Sequence, residues 1–250
     1  MSDSSADIVE LFSSIQGEGP LVGFRQVFLR FHGCNLDCSY CDTDAGSPAP
    51  LCRIEGTPGR RDFQELPNPI QISRVLSQLE GWERGWPGIH HSISITGGEP
   101  LLKLDVLQEW LPQLRKVLPI YLETNGLFHS ELSRLIEFID IISMDIKIPS
   151  TSEYTDLWDH HMEFLKVASQ KDLFVKVVVS DETEEWEIER ACKMVSDVDP
   201  SLTVVFQPVT LENAKIGITP IRCLELQEVA ARYLKQIRII PQTHKFTGQI

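Results

Sequence analysis

The chain has 250 residues, 42% of them hydrophobic and 24% charged, with 36 acidic against 23 basic side chains and a net charge of −13. That is ordinary globular composition with enough apolar mass for a sizeable core. The acidic balance excludes a broad electrostatic footprint for nucleic acid, and no stretch approaches the length of a membrane span. The polar Met1–Asp7 segment lacks the basic and apolar regions of a signal peptide, so a cytoplasmic chain forming a single domain over 1–250 is expected. Its six cysteines then read as metal ligands plus buried thiols, not as disulfides.

In chain order, Ile8 to Phe12 reads as a short strand. Ser13 to Pro20 follows as a turn-rich loop whose glycines permit close backbone approach. Gln16 and Glu18 bring an amide and a carboxylate to its bend, although a plain surface turn fits the same residues. Val27 to Phe31 alternates with the strand period. Arg30 falls on the opposite face from Val27, Leu29 and Phe31, where its guanidinium can clamp a carboxylate or make a structural ion pair.

Directly after this strand come Cys34, Cys38 and Cys41, spaced C-x3-C-x2-C. Thiolates are soft ligands that suit iron–sulfur clusters or zinc. Three of them leave one iron of a four-iron cluster open to a substrate or cofactor. A zinc knuckle would want a fourth ligand at finger spacing, and Cys52 stands alone further on, read as a bystander thiol. Three cysteines on one short loop are too dense for core packing. Residues from about 44 to 69, proline-rich and carrying Arg53, Arg60 and Arg61, read as an irregular insertion or hairpin.

Ile72, Val75, Leu76 and Leu79 have helical spacing, broken between Gly81 and Gly88. Ser92 to Thr96 is a strand running into Gly97-Gly98-Glu99-Pro100, where Glu99 can pair with a ligand ammonium. Leu104 to Leu118 continues as helix, with Pro112 a kink. The strand Ile120–Glu123 ends at Thr124-Asn125-Gly126, and a short helix holds Leu132, Leu135 and Ile136. The strand Ile139–Met144 ends at Asp145-Ile146-Lys147. Residues 153–169 read as helix, with His160 and His161 surface or packing residues. Leu173 to Val179 is a β-branched strand, and an acidic helix then buries Ile188, Cys192 and Val195. Leu202–Phe206 leads to Gln207-Pro208. A last long helix carries Leu226 to Ile237 on its apolar stripe, with Cys223 near its start.

This alternation predicts parallel βα units. Six strands after the N-terminal one match an incomplete α/β barrel, whose site gathers at the C-terminal ends of its strands. The cysteine loop, Gly97–Pro100, Thr124-Asn125, Asp145–Lys147 and Gln207 all fall there.

With Tyr40 before its last cysteine, the motif resembles that of the radical S-adenosylmethionine (SAM) superfamily. Within it the chain is similar to the 7-carboxy-7-deazaguanine synthase family along most of its length. The residues that carry this are Ile15-Gln16-Gly17-Glu18-Gly19, Arg30, Gly33-Cys34, Cys41-Asp42-Thr43, Thr96–Pro100, Glu123–Gly126 and Pro241-Gln242-Thr243-His244-Lys245. The resemblance implies a carbon–nitrogen lyase that converts 6-carboxy-5,6,7,8-tetrahydropterin to 7-carboxy-7-deazaguanine with loss of ammonia, an early step toward queuosine and other 7-deazapurines.

It also implies roles. Cys34, Cys38 and Cys41 would ligate a 4Fe–4S cluster, and Thr43 would bind magnesium. Ile15, Gln16, Gly17, Glu18, Arg30 and Thr96 would contact substrate. SAM would meet Tyr40, Asp42, Gly98, Glu99, Asn125, Ser143, Asp145, Ile146, Lys147 and Gln207. An external donor such as flavodoxin or ferredoxin, and a homodimer, complete the expectation, with neither nucleic acid nor membrane as partner. The Thr243–Ile250 tail is a candidate for closing the site mouth, or a frayed terminus. Two other readings share the cysteine loop: a glycyl-radical-enzyme activase of the same superfamily, which needs a protein-docking surface, and a non-enzymatic iron–sulfur or zinc protein, which gives no reason for Gly97–Pro100.

Overall fold

A computed structural model of the chain describes residues 3–41, 50–211 and 215–249. A two-residue strand, β1 (Ser5–Ala6), pairs with β6 (Ile70–Gln71). The main sheet has ten strands: β2 (Ile8–Ile15), β3 (Arg25–Phe31), β4 (Leu51–Glu55), β5 (Phe63–Pro67), β7 (Ile93–Gly97), β8 (Ile120–Thr124), β9 (Ile141–Ile146), β10 (Asp172–Val179), β11 (Thr203–Pro208) and β12 (Ile237–Ile239). Their order is β12-β11-β10-β9-β8-β7-β3-β2-β4-β5. Every neighbouring pair from β3 to β12 is parallel, as βα crossovers require. The sheet stays open between β12 and β5, in keeping with the expected unclosed α/β barrel.

The crossovers are α1 (Ile72–Gly85), α2 (Leu104–Leu114), α3 (His129–Leu135), α4 (Pro149–Ser152), α5 (Trp158–Ala168), α6 (Glu185–Val198) and α7 (Pro220–Ala230); α8 (Thr243–Thr247) follows β12. Local sequence fixes their ends. Thr219 accepts from Arg222 N–H with Pro220 in the first turn, and Glu184 and Glu187 form a capping box for α6. Parallel strands are covered on both faces. One face carries Val27, Leu29, Ile93, Ile95, Leu122, Ile142, Val175, Val177 and Phe206 into the main core beneath the helices, with Trp82 and Trp110. On the other, Tyr121, Phe174 and Val205 form a small second core against Leu21.

Three expectations narrow or change. Of the two readings of the 44–69 segment, the described part takes the hairpin and not the irregular one: β4 and β5 are antiparallel, docked beside β2 through Glu10 opposite Arg53 and Leu11 opposite Ile54. The cause is strand alternation, with Cys52 and Ile54 buried while Leu51 and Arg53 face out. The 153–169 helix is shorter than expected: Glu153 adopts a left-handed φ of 67° that caps α4, and α5 begins only at Trp158. The last helix stops at Ala230, and Ile237 opens β12 instead; Leu234 still enters the core from the connecting turn. Cys52 and Cys192 are fully buried and Cys223 is half-buried.

Candidate active site

Strand register assembles the site. Arg30 sits opposite Thr96 across β3 and β7, Glu123 opposite Ser143 across β8 and β9, Asp145 opposite Lys176 across β9 and β10, and Val178 opposite Gln207 across β10 and β11. Side chains at paired positions share a face. A polar row therefore crosses an otherwise apolar sheet near the C-terminal strand ends, on the face away from the helices. Such polar groups cost free energy to bury unless they are hydrogen-bonded, and most are paired. Thr96 Oγ1 donates to Glu123 Oε2 at 2.7 Å, and Gln16 Nε2 bridges Gln26 Oε1 and Glu123 Oε1, both at 2.9 Å. Arg30 pairs with Glu10 at 3.0 Å.

Two buried lysines and three acids or phenols make up the charged centre. Lys147 Nζ lies 2.8 Å from Asp145 Oδ2 and 3.0 Å from the Tyr40 hydroxyl. Lys176 Nζ bridges Glu18 Oε2 and, at 3.3 Å, Asp145 Oδ1. Burial alone would raise the Glu18 carboxyl, but the Lys176 charge and hydrogen bonds from Lys176 and Gln242 outweigh it and hold Glu18 below its ordinary range. Burial works against the Lys176 ammonium too, yet Asp145, Glu18 and Glu123 keep it protonated far above neutrality. Burial pushes the Tyr40 hydroxyl up to about 12 despite Lys147 beside it, so it stays a neutral phenol.

The cysteine loop leaves β3 at Gly33, which takes a φ of +95°. The loop is pinned from three sides. Glu99 N–H donates to Gly33 O at 2.8 Å, Asn125 Nδ2 donates to Asn35 Oδ1 at 2.8 Å, and Asp37 N–H donates to the Tyr154 hydroxyl at 3.0 Å. No disulfide joins the cysteines. Burial raises the Cys34 and Cys38 thiols, while Cys41 is exposed. A Cβ on Gly98 would lie 2.3 Å from Gly33 O and 2.8 Å from Cys34 Cβ, so only glycine lets the Gly97–Pro100 turn close on the loop. Glu99 itself is fully buried and accepts from Leu101 N–H (3.0 Å), Asn125 N–H (2.8 Å) and Thr124 Oγ1 (3.0 Å). It ties two strand-end loops together, and burial lifts its carboxyl to about 7 against those donors.

His161 does the same one layer out. Its Nδ1–H donates to Gly126 O and its Nε2 accepts from Lys147 N–H, each at 3.1 Å. This fixes the tautomer, and burial depresses the imidazole to about 3, against the bond to Gly126. Replacing His161 with alanine orphans two buried backbone groups, so we expect a loss of about 2–4 kcal/mol in denaturant melts. Wild-type stability should also fall as pH drops below the ordinary histidine value near 6.5, because only the unfolded chain binds that proton; a parent chain and a His161→Ala variant with identical acid limbs would contradict this.

A cavity of ≈ 550 Å³ opens over the polar row, the size of a small-molecule site. Ile15, Gln16, Gly17, Glu18, Arg30, Tyr40, Cys41, Thr96, Gly98, Asn125, Ser143, Asp145, Lys147 and Gln207 line it. Cys34, Cys38 and Glu99 are not among its lining residues, and Ile146 packs into the main core on the other face of β9. Asp42 and Thr43 lie outside the described residues. The cavity also recruits Glu123, Gln242, His244 and Lys245, from stretches that carried the family resemblance without a site role of their own, His244 and Lys245 lying in the tail named as a candidate for closing the mouth. It recruits Glu10, Arg53 and Lys176 as well, which sequence reading did not select. Lys176 left a signal, a lone cation inside the apolar run Leu173–Val179; Glu10 and Arg53 left none without the register.

The donor set fits a cluster with SAM. Among the described residues no three His, Cys, Asp or Glu side chains converge as for a single ion. A cubane makes no such demand, since each thiolate takes a different iron. Asn125 Oδ1, beside the loop, and Gln207 Oε1, at the end of β11, are buried without a hydrogen-bond partner, acceptors that a bound ammonium or hydroxyl would satisfy.

Residues 28–194 match the model of the radical SAM superfamily. A Geobacter sulfurreducens protein named 7-carboxy-7-deazaguanine synthase is 58% identical over 250 residues, covering 100% of both chains. A Methanothermobacter thermautotrophicus protein of the same name is 34% identical, covering 97% of each. Among solved structures, the crystal structure of QueE from Escherichia coli aligns with a TM-score of 0.55 at 18% identity over 96% of this chain and 95% of that one, a likeness of fold.

Proposed function

Since the chain belongs to the radical SAM superfamily and, within it, to the 7-carboxy-7-deazaguanine synthase family, we propose that it converts 6-carboxy-5,6,7,8-tetrahydropterin to 7-carboxy-7-deazaguanine, releasing ammonia. The observation that carries this reading is the polar row of β3 to β11 ending beneath the three-cysteine loop.

Cys34, Cys38 and Cys41 would hold the cluster, which when bound supplies the electron that cleaves SAM. The chain's own residues then bind and orient. Gly98 permits close backbone approach beside the loop, and Asn125 and Gln207 offer acceptors to SAM. Lys147 holds Tyr40 and Asp145 in fixed positions. A pterin presents a ring edge rich in N–H donors and a carboxylate. Glu18 and Glu123, both held in place by partners, suit the donors, and Arg30 suits the carboxylate. The wall made by Ile15–Glu18 and the C-terminal segment limits water around a reactive intermediate.

The finer assignments follow from the family. Magnesium would be taken by the Thr43 hydroxyl with substrate oxygens, a hard-cation donor set. Thr43→Ala should weaken the magnesium response of the activity while leaving cluster absorbance intact, and an unchanged magnesium titration would sink that assignment. An external one-electron donor such as flavodoxin or ferredoxin, a homodimer and a cytoplasmic location fit a biosynthetic enzyme of this kind; no described helix is long and apolar enough to cross a membrane.

The deciding experiment is a product assay on anaerobically reconstituted protein with SAM, reductant, magnesium and the pterin. Mass spectrometry should find 7-carboxy-7-deazaguanine. If 5′-deoxyadenosine forms without it, the superfamily chemistry stands and the substrate assignment falls.

A further inference from the structure

Arg53 of β4 lines the cavity. The turn between β4 and β5 has no role in the chemistry above, yet it is held by many hydrogen bonds. Glu55 is fully buried and accepts three backbone N–H bonds, from Ser13 and Gly59 at 2.9 Å and from Arg61 at 2.7 Å. One carboxylate thus fastens the turn to β2. From the other side Gly56 O accepts from Trp82 Nε1 (2.9 Å) and Gln78 Nε2 (3.0 Å) on α1, and Pro58 O accepts from Arg25 Nη2 at 2.7 Å. Arg61 is held at a φ of 59°, a conformation non-glycine residues adopt only when their surroundings impose it. Its guanidinium donates to Gly248 O in the C-terminal segment.

Other bonds tie that segment to the end of β2 and the loop after it. Thr243 N–H and Oγ1 donate to Gly17 O at 2.8 and 3.1 Å, Gln242 Nε2 donates to Glu18 Oε1 at 2.8 Å, and Ser14 Oγ donates to Gln249 Oε1 at 3.3 Å. These bonds go to Ser14, Gly17 and Glu18, at the end of β2 and in the loop after it. Between these anchors His244 and Lys245 face the cavity.

We infer that Arg61 is a positioning residue: the rigid Gly56–Asp62 turn uses its guanidinium to fix where the C-terminal segment lies, and so where His244 and Lys245 wall the cavity. The relevance to catalysis rests on the function proposed above; the mechanical coupling does not.

Hydrogen exchange of the full chain, without substrate, tests it at the amides of Thr243, Lys245, Gly248 and Gln249, all hydrogen-bonded here. Arg61→Gly removes the guanidinium and tolerates the positive φ, and Arg61→Lys restores a donor. Exchange of those four amides should rise about three- to tenfold in Arg61→Gly, the effect of one hydrogen bond, with part of the protection returning in Arg61→Lys and amides of α1 and β10 unchanged. Equal tail exchange in Arg61→Gly and the parent chain overturns the inference, and so does acceleration spread evenly over the chain. The pterin reading fails separately, by an absence of 7-carboxy-7-deazaguanine from the parent enzyme.

Discussion

Cys38→Ala should abolish product formation and remove the absorbance of the reconstituted cluster, while the folded chain survives. The loop it sits on is secured by groups other than its thiol: Gly33 O by Glu99 N–H, Asn35 by Asn125, Asp37 by Tyr154 and Ser39 by Thr151 O. Losing the sulfur therefore deletes a ligand without unravelling the scaffold. Cys223→Ala is the control, since that half-buried thiol lies on α7, away from the loop, and its variant should load iron and turn over normally. A Cys38→Ala protein that keeps both cluster and product would remove the cluster assignment outright.

The second large effect is on stability. Lys176→Met should cost about 3–5 kcal/mol at pH 7.5, the penalty for stranding buried charge by removing its partner. Lys176 stands between Glu18 and Asp145, and without it Glu18 loses its cation while Asp145 is left with Lys147 alone. The pH dependence should reverse. In the parent, Glu18 lies below its ordinary value, so its contribution is present above the unfolded pKa near 4.5 and is lost as pH falls through the lower folded value. In the variant, only the Gln242 hydrogen bond and the His244 charge still oppose burial, and the carboxyl is expected to rise; stability is then full at low pH and is lost as pH rises through the raised value. Denaturant midpoints at pH 5 and 7.5 read this directly. A variant less stable than the parent by the same amount at both would show that Lys176 contributes packing, not charge.

Much of this architecture was legible in the sequence because strand and helix announce themselves by period. The βα alternation, the placement of Cys192 in the core and the cysteine loop after β3 all came from local pattern. What local pattern lacks is register. Lys176 reads as one polar residue in an apolar strand, and only its pairing opposite Asp145 makes it part of a charged centre. A hairpin was one of two readings for the 44–69 segment, but its prolines and glycines mark turns and not the edge pairing with β2 that makes it part of the sheet. The end of α7 was missed because Tyr233 and Leu234 continue the apolar content after the helix has stopped. For residues 242–245 the family resemblance, not local pattern, pointed to the site: they reach the cavity through contacts more than 220 positions apart, such as Gln242 with Glu18, which no window can see.

The hairpin has a further consequence, for solubility. Without it β2 would end the sheet, and β2 reads Ile-Val-Glu-Leu-Phe-Ser-Ser-Ile, an apolar strand with an open row of amides and carbonyls. Such an edge is a template for pairing with other molecules. The hairpin substitutes β5 as the edge, whose exposed Gln64, Glu65 and Pro67 are poor partners for another strand: charge resists stacking, and proline offers no amide hydrogen. A protein shortened by deleting residues 50–69 would therefore be expected to self-associate into aggregates.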